Sequence, residues 1–252
     1  MNIGEWTCPA TTANASTLDA SATPSVTDPV TLPWSTGFEN RFCDYTEPSG
    51  YCTEPSLYSI VTSPKKSGHY AAKFTVIGEE GGIFQQSRCV RQGVLPKEAF
   101  YGAWYFIPAT ATNHENWNLI HFLGADSPKS SNQHGTWDVS LANGPDGRLT
   151  LSVLNFLWKA PPADHILLGP PIPIGSWFHI EFYLRREKNA TGEAALYKDG
   201  VRVVDFPNVI TDDTDWGQWY VGNLATSLSP PESTLYVDDV TIASTLGWTP
   251  PP

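Results

Sequence analysis

Two arginines, a histidine and a tyrosine stand in apolar, aromatic-rich runs of a chain whose charged residues make up only 16% of its length. Arg88 and Arg91 lie in Phe84-Gln-Gln-Ser-Arg-Cys-Val-Arg91, His121 in Trp117-Asn-Leu-Ile-His-Phe-Leu123, and Tyr220 in Trp219-Tyr-Val-Gly-Asn223. A guanidinium grips a carboxylate through two parallel hydrogen bonds. An imidazole and a phenol take up or release protons at a reacting centre. Other chemistries lack their residues. No Gly-x-Ser-x-Gly elbow and no phosphate-cradling loop is present. Asp138 and Glu181 are isolated, whereas a retaining glycosidase needs paired carboxylates on one strand face. His69, His114, His134 and His165 have no carboxylate or Cys partner at metal-ligand spacing, and His179 reads as structural.

The elements that must position these groups are strands. From residue 34 onward, short runs of alternating apolar and polar residues recur between turn signals, the pattern of an antiparallel sandwich. Phe178, Ile180, Phe182 and Leu184 alternate with polar neighbours. Asp199-Gly200 offers the positive φ angles of a two-residue hairpin turn. Strands are expected near 57–62, 70–77, 83–91, 100–107, 117–123, 136–142, 148–155, 177–185, 193–198, 201–206, 217–224 and 234–242. Asn143-Gly-Pro-Asp-Gly147 joins two of them, and the prolines between 161 and 173 mark a long irregular loop. Alternation places Gln85, Ser87 and Arg91 on one face of their strand and Arg88 on the other. At most one arginine therefore shares a cleft with His121.

Composition bounds the rest. The 252 residues suffice for one large all-β domain over 34–252, preceded by an Ala/Thr/Ser/Pro-rich flexible arm over 1–33. A net charge of −11 disfavours nucleic acid as partner and weighs mildly against a strongly anionic glycan unless a local basic cleft offsets it. No apolar run of about 20 residues could enter a membrane. The four cysteines allow three pairings. Cys43 and Cys52 bracket a short loop and are expected to close it, which leaves Cys8 with Cys89. Disulfides place the protein in a secreted, periplasmic or cell-surface setting, with Met1 following removal of an export signal.

The hairpin Ser176-Trp-Phe-His-Ile with Leu196-Tyr-Lys-Asp-Gly200 resembles that of concanavalin A-like jelly rolls. Thr36-Gly-Phe-Glu39, Ser67-Gly-His-Tyr-Ala and Leu235-Tyr-Val-Asp-Asp-Val-Thr-Ile242 are similar to jelly-roll carbohydrate-binding modules. That resemblance implies Glu39 and Asp238 as ligands of a structural calcium, completed by backbone carbonyls; the alternative is that Asp238 accepts backbone N–H bonds. The arginine run, Tyr101-Gly-Ala-Trp-Tyr-Phe-Ile-Pro108, the His121 run and the Tyr220 run follow the order seen in jelly-roll polysaccharide lyases of the alginate, glucuronan and heparin type. What this implies is β-elimination at a uronate: Arg88 or Arg91 neutralises the carboxylate, His121 is the base, and Tyr220 is acid or base. The sequence departs from that family's pattern in three places. Arg88-Cys-Val-Arg91 lacks a Glu, Leu119 stands where a Gln is expected, and no Lys neighbours Tyr220. Asn118, next to Leu119, is expected to face away from His121. Flat rings stack on sugar faces, so Tyr105, Trp137, Trp158 and Trp219, with Gln85, are expected to bind ligand. Three readings follow: a protein recognising an extracellular polysaccharide, which leads; a polysaccharide lyase; and a structural or adhesive surface protein.

Overall fold

The computed structural model describes residues 8, 30–46, 49–53, 57–79, 82, 84–125, 133–156, 165–211 and 214–247. Fifteen strands account for nearly all of its regular structure: β1 (Trp34–Thr36), β2 (Gly50–Thr53), β3 (Tyr58–Val61), β4 (Ala71–Ile77), β5 (Gln85–Val94), β6 (Glu98–Phe106), β7 (Thr112–Ala125), β8 (Gln133–Asn143), β9 (Leu149–Phe156), β10 (His165–Pro171), β11 (Trp177–Arg185), β12 (Gly192–Lys198), β13 (Val201–Val209), β14 (Trp216–Ser229) and β15 (Glu232–Ala243). They form two antiparallel sheets, ordered β13-β12-β11-β6-β15-β4-β3, with β1 also on β15, and β10-β9-β8-β7-β14-β5-β2. This is the expected all-β sandwich of jelly-roll type. Much of the proposed arm, residues 9–29, lies outside the described residues.

The sheets meet through the apolar half of each alternating pattern. Phe178, Ile180, Phe182 and Leu184 on β11 are all buried, as are Phe74, Tyr101, Trp117, Phe122, Trp137 and Trp219. At about 25 cal/mol per Å² of apolar surface removed from water, this aromatic interior is the main stabilising contribution. The turns follow their residues. Asp199 (φ 48°) and Gly200 (φ 77°) join β12 to β13, and Gly147 (φ 77°) closes the β8–β9 connection.

Four expectations need correction. β10 pairs with β9 where an irregular loop was expected. It ends the sheet, so the missing N–H groups of Pro170 and Pro171 are tolerated there. β1 and β2 are too short to show a period. On β15, alternation would set Tyr236, Asp238, Val240 and Ile242 on one face; Asp238 does not share the face of Val240 and Ile242, because the pairing with β6 slips between Asp238 and Thr241 and Asp239 takes φ 45°. The cysteines pair differently as well: the disulfides are Cys8–Cys43 and Cys52–Cys89. Cys52 and Cys89 are direct register partners of β2 and β5, with Cα atoms 4.0 Å apart. Short sequence spacing misled here, since the sheet brings residue 89 to residue 52.

Candidate functional site

The outer face of the seven-stranded sheet carries the site. Asp138 on β8 is the register partner of His121 on β7, which is the partner of Tyr220 on β14. Trp137, Phe122 and Trp219, one residue away on these three strands, therefore point into the core, and the polar side chains point out. Arg88 on β5 lies opposite Gly222, two residues along β14 from Tyr220. Its guanidinium carbon sits 4.0 Å from the centre of the Tyr220 ring. On the other side of Tyr220, the His121 ring is nearly parallel (12°), with centroids 4.5 Å apart. The phenol is thus held between a guanidinium and an imidazole.

Gly222 makes room for this arrangement. Its φ is 147°, and a Cβ there would come within 2.4 Å of the Ser87 carbonyl oxygen and 2.7 Å of Arg88 Cα. Only glycine lets β5 and β14 approach so closely beneath Arg88.

His121 Nδ1 and Asp138 Oδ1 are 2.5 Å apart, and both side chains are mostly buried. A carboxylate only accepts, so Nδ1 carries the proton and Nε2 keeps a free lone pair. Burial pushes the Tyr220 phenol far above its ordinary value, with the Arg88 charge working against that. The hydroxyl therefore stays protonated across the neutral range.

Asn118 joins this face by an irregularity. β7 slips against β8 between Asn118 and Ile120, so Leu119 and Ile120 both enter the core. Asn118 emerges on the side of His121, contrary to strict alternation. It is buried, and its Oδ1 has no hydrogen-bond partner; nor has Arg88 Nε. These groups line a cavity of about 600 Å³ that also includes Phe84, Asn116, Leu123, Trp216, Gln218 and Leu224.

Other expected site residues lie elsewhere. Arg91 turns inward as alternation required. Its guanidinium lies over Trp34 and donates to the Asp44 carbonyl at 3.3 Å. Gln85 accepts a hydrogen bond from the Ile77 N–H on the opposite sheet. Tyr105 is fully buried and donates to the Leu119 carbonyl at 3.0 Å. Trp137 donates to the Thr211 carbonyl at 3.0 Å and packs on Phe182 and Phe206. Trp219 packs on Tyr101 and Trp34. None of these three rings is open to a sugar. Trp158 lies outside the described residues.

Glu39 and Asp238 both hold the loop over residues 65–70. Glu39 Oε1 accepts from the N–H groups of His69 and Tyr70. Asp238 Oδ2 accepts from those of Lys66 and Ser67, and Oδ1 from that of Asp239. Burial raises the Asp238 pKa to about 6 despite these bonds. Backbone N–H donors thus converge on both carboxylates. Among the described residues, no group of three or more His, Cys, Asp or Glu stands together.

A profile of the polysaccharide lyases matches residues 32–241, most of the chain and every strand that contributes to the cavity. The chain belongs to the polysaccharide lyase family. Solved structures that share its fold include three lyases. The endo-β-1,4-glucuronan lyase of the fungus Trichoderma reesei superposes with TM-score 0.60 at 17% identity, covering 84% of this chain and 95% of that one. The alginate lyase Aly36B gives TM-score 0.60 at 13% identity, covering 86% and 98%. The PL-14 alginate lyase of Aplysia kurodai gives 0.62 at 11%, covering 84% and 98%. No curated protein sequence matches. Within this polysaccharide lyase fold, Asp138, Asn118 and Gln218 escaped the sequence reading. Asp138 was legible, since alternation puts it outward beside buried Trp137; Asn118 needed the bulge.

Proposed function

We propose that the chain is an extracellular lyase that cleaves a uronate-containing polysaccharide by β-elimination. The observation that carries this reading is the convergence of Arg88, Tyr220 and the His121–Asp138 pair, with Asn118, along one cavity. Two disulfides suit an oxidising, extracellular setting. Among the described residues, no helix is long and apolar enough to cross a membrane.

The roles follow from the chemistry of each group. Arg88 and the Asn118 amide meet the uronate carboxylate and stabilise the negative charge that grows on it as the adjacent C–H is lost. His121 Nε2 takes that proton, and Asp138 steadies the imidazolium formed. The electron pair of the C–H bond becomes the new carbon–carbon double bond as the bond to the glycosidic oxygen breaks. Tyr220, kept protonated by burial, gives its proton to the departing oxygen. The products are a new reducing-side hydroxyl and an unsaturated uronide, with no water consumed.

The test is a panel of uronate-containing polysaccharides followed by the ultraviolet absorbance of unsaturated uronides. Growth of that absorbance with wild type and its loss in His121→Ala is the expected result. No absorbance change on any polymer, with mobility in glycan-containing gels still retarded, would make the protein a binding module. Failure of both would leave a structural role.

A further inference from the structure

We propose that the cavity takes a heteropolysaccharide in which single uronates are separated by neutral sugars, rather than a homopolymer of uronates; the inference rests on the lyase reading above. A chain of consecutive uronates brings a carboxylate to every subsite, and each needs a cation or strong donors once it leaves water. Among the described residues lining this cavity, Arg88 is the sole permanent cation, and Asp138, already bound to His121, is the sole carboxylate. One guanidinium matches one uronate.

The other described residues that line the cavity, the His121–Asp138 pair apart, carry no charged side chain in either direction along the strands. Leu224 and Trp216 each lie four residues from Tyr220 on β14, so they stand roughly 26 Å apart at about 3.3 Å per residue. At the Leu224 end are Asn116 and Phe84, a residue 54% exposed. At the other end, Gln218 and Leu123 neighbour Trp216, whose indole N–H is buried without a hydrogen-bond partner. An exposed ring takes the C–H face of a neutral sugar, while amides take hydroxyls. For a second or third carboxylate these surfaces offer desolvation without compensation. The chain as a whole, at −11, repels a polyanion rather than drawing it in.

The test compares two polyuronates, alginate and glucuronan, with gellan and gum arabic, whose glucuronates lie among neutral sugars. Initial rates of unsaturated product and retardation in gels containing each polymer are measured on wild type. The expected result is at least about tenfold higher kcat/KM on a heteropolymer, changing less than about threefold between about 0.05 and about 0.5 M NaCl. Equal or faster turnover of a polyuronate, falling steeply with salt, overturns the proposal. If no polymer is cleaved, the lyase reading fails but retardation still decides. Stronger retention by a heteropolymer supports the inference; stronger or equal retention by a polyuronate, or none by any polymer, overturns it.

Discussion

Asn118 and His121 face the same cavity although three positions separate them on β7, because the slip against β8 sends Leu119 and Ile120 together into the core. The carboxamide that regular alternation would turn away is thereby placed beside the imidazole, with its Oδ1 unpartnered. Removing one such polar group from a reacting centre costs about 100-fold in kcat or more. Asn118→Ala is expected to lose that much with its thermal midpoint little changed. Asn118→Asp, which sets an anion against the substrate carboxylate, is expected to lose more. Initial rates with melting curves check both.

Asp138 holds the His121 tautomer, so the pair has a graded signature. His121→Ala removes the base and is expected to lower kcat about 1,000-fold. Asp138→Asn keeps the shape but lets the ring present the wrong nitrogen, for a loss of about 100-fold. The loss in Asp138→Asn should fall on kcat, with its thermal midpoint little changed. An unchanged kcat with a lowered midpoint would show that Asp138 serves the fold alone.

The two arginines are expected to separate cleanly. Arg88→Lys keeps a charge but loses the planar fork lying on Tyr220, and activity should fall at least about tenfold at nearly constant stability. Arg91→Lys acts on an interior contact with Trp34 and Asp44. It should lower the urea midpoint, with kcat/KM unchanged for the molecules still folded.

Asp238 gives stability a pH dependence of definite sign. Its carboxyl titrates near 6 in the folded chain, against 3.8 for an ordinary aspartate. Between those values the folded state holds a proton that the unfolded state has released, so stability falls as pH rises from about 4 to about 6. His179, pushed down to about 4 by burial, acts in the opposite sense over much of this range. The diagnostic quantity is therefore the difference between wild type and Asp238→Asn. Urea midpoints across that range should show wild type losing ground relative to the variant as pH rises, with a plateau above about 6.5.

Much of the sandwich is written in the chain as period-two patterning, and the Asp199-Gly200 and Gly147 turns could be placed from residue types alone. The strand that escaped, β10, carries two prolines that an end position tolerates. Local patterning could not reveal the Cys52–Cys89 bond, which depends on which strands become neighbours. At the site, alternation already separated Arg88 from Arg91. Applied equally to Trp219 and Tyr220, or to Trp137 and Asp138, it would have sent both tryptophans inward. Asn118 lay beyond that rule, because a bulge is a property of two paired strands and leaves no mark in either alone.

The bond between Cys52 and Cys89 also governs how molecules of this protein can meet. One margin of the seven-stranded sheet ends on β2, four residues long and covalently riveted to its neighbour. Such a stub gives a second copy little free ladder on which to template, and it cannot peel away to expose a longer one. The protein thereby keeps that margin of the sheet from becoming a seed for fibres.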